Sequence, residues 1–216
     1  MSIITIATSK GGAGKTTIAR LILGRLSQAG LRVATVDADF NHTLTDWVRT
    51  ASKHAITVEH ELDETRIVPL VESLHAAHDV VVIDTAGAAT QATIFAIGCA
   101  DVVLVPCQTS SADIVEAIKT MNLIKSASLM MKRDVTARVI LTGYQPNTNI
   151  STHIESEIAK AKLPVMETKL HRLVAFQEMS FTGIVPTSGL AGLQCANFLD
   201  EIEALGGIPE AAKMAS

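Results

Sequence analysis

Aromatic side chains are nearly absent, 3% of a 216-residue chain with one tryptophan and one tyrosine, although hydrophobic residues make up 48%. A core of that composition packs valine, isoleucine, leucine and alanine, as parallel α/β sheets do. Cysteine is scarce too. Cys99, Cys107 and Cys195 stand far apart, which excludes a disulfide framework or a Cys-x-x-Cys metal site and fits a reducing, cytoplasmic setting. Positive charge is not in excess: the net charge is −4, so nothing global argues for nucleic acid. No apolar run approaches the roughly 18 residues of a spanning helix, and the first apolar stretch begins at Ile3, with no segment before it that reads as a signal peptide. The length suits one domain with a well-covered core. We read 1–206 as that domain and 207–216 as a short tail, broken by Gly206, Gly207 and Pro209.

What is present is concentrated near the start. Lys10-Gly11-Gly12-Ala13-Gly14-Lys15-Thr16-Thr17 lies between an apolar run, Ile3 to Thr8, and a stretch from Ile18 to Leu26 with helical spacing of Leu21, Ile22 and Leu26. Strand, glycine loop and helix in that order make a phosphate-binding loop. Its glycines let backbone N–H groups approach a polyphosphate, and the following helix adds its positive end. Lys15 supplies a charge for the β- and γ-phosphates, and the Thr16 hydroxyl is placed to ligate Mg²⁺.

The rest alternates apolar strands with amphipathic helices: strands at 32–36, 79–84, 102–106, 137–142 and 164–168, a short edge strand at 56–58, and helices at 67–77, 90–100, 151–161, 173–179 and 190–205. A further helix, capped by Ser111, runs to about Met131. The pattern predicts an α/β fold, a doubly wound, mostly parallel sheet flanked by helices on both faces. Ligands bind such sheets at the carboxyl ends of the strands, where the loops at 9–16, 37–43, 84–90 and 106–111 converge.

Two acidic positions complete the site. Asp84 ends the apolar strand Val80–Ile83 and precedes Thr85, Ala86 and Gly87, the expected place for the carboxylate that holds the metal, through water, and for a backbone that senses the γ-phosphate. Asp37 and Asp39 alternate at the end of the second strand and so share one side. The i, i+3 pair His75 and His78 lacks a third ligand and is expected to be solvated.

Where the standard loop begins with glycine, this chain has Ser9, and Lys10 precedes a double glycine. That form resembles the deviant phosphate loop of the ParA/MinD family of ATPases, and the likeness extends from residue 1 to about 200. The resemblance implies that Lys10 reaches across a two-fold interface to the partner's phosphates in an ATP-bound sandwich homodimer. It also implies that Asp39 orients or activates water and helps hold Mg²⁺, with Asp84, Thr85, Ala86 and Gly87 as the switch II segment. Phe40 and Asn41 replace the family's usual Pro-Gln after that aspartate. Chromosomal members bind DNA through arginines late in the chain. Arg172 matches one such place, whereas Asn147 and Ala175 stand at the others, and Lys132, Arg133, Lys160 and Lys162 are further candidates for the dimer surface.

The reading that follows is a partition ATPase, associated with the nucleoid in its ATP state, binding non-specific DNA and released when a ParB-like or cargo-adaptor partner stimulates slow hydrolysis. Membrane targeting is not expected, because the tail lacks a basic amphipathic helix. Alternatives are the same motor placing another cargo (a DNA-transfer complex, a chemoreceptor cluster or a carboxysome) or a biosynthetic ligase of the dethiobiotin synthetase or cobyrinate amidating type. An iron–sulfur reductase would require two cysteines near Gly87, which the spacing does not provide.

Overall fold

The computed structural model describes residues 1–87 and 90–209. Seven parallel strands form one sheet in the order β3-β2-β4-β1-β5-β6-β7. They are β1 (Ser2–Ile6), β2 (Val33–Ala38), β3 (Ile56–His60), β4 (Val80–Thr85), β5 (Val102–Cys107), β6 (Thr136–Tyr144) and β7 (Leu170–His171). The helices are α1 (Lys15–Gln28), α2 (Thr43–Asp46), α3 (Glu64–Ala77), α4 (Gln91–Cys99), α5 (Ser111–Met131), α6 (Asn149–Lys160), α7 (Val174–Thr182) and α8 (Gly189–Ala204). A π-helical turn, Trp47–Ala51, continues α2.

The central strands are buried along their whole length because each supplies both faces of the core. Val80 and Val82 face α1, α7 and α8, while Val81 and Ile83 pack with residues of α3 and α4. The same alternation places Asp84 and its in-register neighbour Asp37 on the α1 side, at the carboxyl edge of the sheet. Strand parity thus delivers two carboxylates beneath the phosphate loop.

Three local expectations are corrected. The stretch 164–168 makes only an isolated bridge, Val139 with Val165, because the Glu201 carboxylate of α8 takes the N–H groups of Glu167 and Thr168. The last strand is instead Leu170–His171. The cap of α5 is Ser110, whose hydroxyl accepts from the Asp113 N–H, not Ser111. His78 is not simply solvated, since its ring bonds the Leu74 carbonyl and the Thr57 hydroxyl. At the far end, Gly207 and Ile208 pack on the base of the sheet, the Ser2 hydroxyl donating to the Gly207 carbonyl at 2.7 Å. Residues 210–216 of the expected tail, and Ala88 and Ala89 in the loop after β4, lie outside the described residues.

Candidate nucleotide and metal site

The loop between β1 and α1 is shaped by its glycines. Gly12 and Gly14 have φ of 77° and 100°, backbone that a side chain would strain. Two side chains far away in sequence hold it from below. The Thr142 hydroxyl of β6 donates to the Ala13 carbonyl at 2.9 Å, and the Gln108 amide donates to the Gly12 carbonyl at 2.8 Å. Motif reading finds neither, since both are isolated polar residues at strand ends.

Lys15 is 6% exposed at the head of α1, and its ammonium donates to the Lys10 carbonyl at 3.4 Å. Burial pulls its pKa below the usual lysine value, and the charges of Asp84 and Asp39 pull it back up. One residue on, the Thr16 hydroxyl donates to Asp84 Oδ2 at 2.8 Å. The other oxygen, Oδ1, is buried and has no hydrogen-bond partner among the described residues. Burial pushes the Asp84 carboxyl up to about 7, the Thr16 hydrogen bond opposes this, and Asp37 reinforces it. A buried carboxylate oxygen with nothing to bind, next to a threonine hydroxyl, has the chemistry of a Mg²⁺ site.

Asp37 and Asp39 do different work. Asp37 is fully buried, and its Oδ2 accepts from the N–H and hydroxyl of Thr45, tying β2 to α2. Asp39 lies past the strand, with Oδ1 held by the backbone and side-chain amides of Asn41 at 2.9 Å. Phe40 beside it is 76% exposed. Lys10 projects to the opposite side of the loop and pairs at 2.7 Å with Asp113, a buried residue in the first turn of α5. Ser9 donates to Glu116 of the same helix.

A cleft of about 590 Å³ opens from Gly12, Gly14 and Thr17 toward β6, β7 and α7, with Thr142, Leu170, Arg172 and Phe176 in its walls. The candidates Lys10, Gly11, Gly12, Ala13, Gly14, Lys15, Thr16, Thr17, Asp39, Asp84, Thr85 and Gly87 therefore meet at one edge of the sheet. Ala86 leads out of β4 toward the same edge.

A family model described as VirC1 protein matches residues 1–192. The chain belongs to the VirC1 family. This VirC1-family chain is a ParA/MinD-like phosphate-loop ATPase by its relatives as well. It is 27% identical over 182 residues to Protein ParA of Rhizobium radiobacter, covering 83% of this chain and 82% of the relative. It is 29% identical over 204 residues to Maintenance of carboxysome distribution protein A of Halothiobacillus neapolitanus, covering 92% and 93%. The fold matches that of the Cyanothece McdA(D38A)–ATP complex with a TM-score of 0.80, 19% identity and coverage of 97% and 98%.

The candidate basic residues of the VirC1-family chain are divided between two edges of the sheet. Arg172 lies at the cleft, after β7. Lys132 and Arg133 follow α5, and Lys160 and Lys162 lie at or past the end of α6, at the opposite edge of the sheet. Helices antiparallel to the strands carry their last residues away from the phosphate loop, so these four lie at the edge remote from Arg172. Arg133 is paired with Asp101 and Lys160 with Glu157. The cysteines are free, and burial pushes the Cys107 thiol up to about 12. Among the described residues no cluster of three or more His, Cys, Asp or Glu can hold a metal, and no helix is long and apolar enough to cross a membrane.

Proposed function

We propose that the chain is a nucleotide-switched ATPase that dimerises around ATP·Mg²⁺, rides non-specific DNA in that state and is released by partner-stimulated hydrolysis. The observation that carries this reading is the Thr16–Asp84 pair with its unpartnered buried oxygen, set under a loop whose second lysine, Lys10, stands partly exposed. The phosphates would lie against the N–H groups of residues 11–17 with Lys15 between them, and the base and sugar in the cleft by Thr142, Leu170 and Phe176. Thr16 and Asp84 would hold Mg²⁺, Asp84 through water, and the ion would neutralise phosphate charge.

Asp39, held by the Asn41 amides, would position the attacking water. Lys10 would leave Asp113 and cross to the partner's phosphates, so that the assembled dimer contains two composite sites related by a two-fold axis. Gly87 would carry the loss of the γ-phosphate into the loop after β4, and the dimer would separate. Likeness to both a ParA and a carboxysome distribution protein supports positioning of a cargo as the role, with the cargo chosen by an adaptor. For DNA, Arg172 beside the cleft is the remaining candidate at the nucleotide edge.

Retention on random-sequence duplex DNA tests the reading, with ATP·Mg²⁺, ADP or no nucleotide and with Asp39→Ala to hold the ATP state. Retention only with ATP, weakening steeply with salt, is expected. An ATP-dependent dimer that ignores DNA would overturn the DNA-riding part and leave the switch standing.

A further inference from the structure

Arg20 is one turn beyond Thr16 on α1, and it is 8% exposed. Burying a guanidinium is unfavourable unless its surroundings use the charge. Its Nη2 donates to the Thr43 carbonyl at 3.1 Å, at the point where the Asp39 loop enters α2. Its Cζ lies 5.6 Å from the centre of the Trp47 ring, in the π-helical turn that follows. Nε is buried with no hydrogen-bond partner among the described residues, and the side chain lines the nucleotide cleft beside Thr17. Asp84 and Asp37 are the carboxylates whose charges act on it.

Trp47 extends the connection. Its Nε1 donates to the Met179 carbonyl of α7 at 2.8 Å, and Phe176, Gln177 and Ser180 of that helix line the cleft. The end of α7 is locked to the same π-helical turn, because Gly183 presses on the Ala51 carbonyl too closely for any Cβ to fit, and Lys53 N–H donates to the Gly183 carbonyl. The cleft wall, α7, the π-helical turn and α2 therefore form one connected body ending at the Asp39 loop. Arg20 fastens that body to the helix that carries Lys15 and Thr16.

We propose that Arg20 is a positioning residue that couples occupancy of the nucleotide cleft to the placement of the Asp39 loop, through Trp47 and α7. It rests on the reading of this cleft as the ATP site. The geometry gives Arg20 one partner on each side of the coupling: the Thr43 carbonyl toward the catalytic loop, and the Trp47 ring toward the cleft wall.

Trp47 is the single tryptophan of the chain, so its emission reports the surroundings of this ring, between Arg20 and Met179. For wild type, Arg20→Lys and Arg20→Met, the measurements are ATP affinity, steady-state hydrolysis and Trp47 emission with and without ATP·Mg²⁺. Arg20→Met is expected to keep ATP affinity within about threefold while kcat falls about tenfold or more, with Arg20→Lys recovering part of the loss. The ATP-induced change in Trp47 emission, present in wild type, should be largely lost in Arg20→Met. Wild-type kcat in Arg20→Met, a loss of affinity that accounts for the whole loss of rate, or an undiminished emission response would each overturn the inference. Should Arg20→Met not fold by far-UV circular dichroism, Trp47→Phe keeps a ring under the guanidinium and removes only the N–H donated to Met179. The same kcat-selective loss is then expected, and unchanged hydrolysis would overturn the proposal. Wild-type protein that neither binds nor hydrolyses ATP would instead bring down the ATPase reading itself.

Discussion

A Cβ placed on Gly87 would lie 3.0 Å from the Gly11 nitrogen and 3.1 Å from its Cα, so the end of β4 touches the phosphate loop backbone to backbone. Neither neighbour can move without reshaping the loop. Gly87→Ala should therefore weaken ATP binding by about tenfold, read by equilibrium titration, with little change in the far-UV spectrum. Lys10 offers a second residue-scale test. Its ion pair with Asp113 involves a side chain 38% exposed, which limits the pair to about 1 kcal/mol. Asp113→Ala removes the internal partner that competes with the proposed cross-dimer contact. ATP-dependent dimerisation in light scattering should then begin at a roughly fivefold lower protein concentration. An unchanged midpoint would show that the pair does not restrain Lys10.

Among elements, the junction between α7 and the π-helical turn concentrates the constraint. Gly183 has φ of 69°, and a Cβ there would overlap the Ala51 carbonyl oxygen at 1.6 Å. Gly183→Ala should destabilise the fold by more than about 3 kcal/mol, measured by urea unfolding, because both the backbone conformation and the contact are lost. The segment just before β3 carries a pH effect. Burial lowers the pKa of His54, and its Nε2 is buried with no hydrogen-bond partner among the described residues. With the folded pKa below the ordinary histidine value of 6.5, the unfolded state binds more protons as pH falls through that value. Stability contributed by neutral His54 is thus present above 6.5 and lost below it. His171 in the cleft wall is lowered by burial and by Lys169, and acts in the same direction. Urea midpoints of wild type should fall between pH 7.5 and 5.5, and His54→Leu should flatten part of that slope.

For the whole molecule, the sheet divides the candidate charged residues between its two edges. The phosphate loop, Asp39, Asp84 and Arg172 occupy the carboxyl edge, whereas Lys132, Arg133, Lys160 and Lys162 belong to the other. If DNA is held at the nucleotide edge, Arg172→Ala should lower ATP-dependent DNA retention several-fold and reduce the salt slope by about one. The double variant Lys132→Ala with Lys162→Ala should leave both nearly unchanged. Reversal of that pattern would move the DNA surface to the far edge.

The alternation of strands and helices was readable from the chain because strands buried on both faces must be nearly continuous apolar runs, as Val80–Ile83 and Val102–Val105 are. That the loop from Lys10 to Thr17 and the Asp84 carboxylate would meet was readable for a related reason, since a strand, glycine loop and helix beside an acid-ended strand converge at the carboxyl edge of the sheet. Leu170–His171 was not, since a two-residue strand carries no period and Glu201 had diverted the N–H groups just before it. Nor were the props of the loop, Thr142 and Gln108, the partner Asp113 of Lys10, or the link from Arg20 through Trp47 to Met179. Each of these joins residues 27 to 132 positions apart. The sequence by itself determined the fold class and the position of the candidate phosphate loop, which depend on local pattern. Only the tertiary structure decided which distant side chains hold that chemistry in place, because such contacts follow from strand order and register.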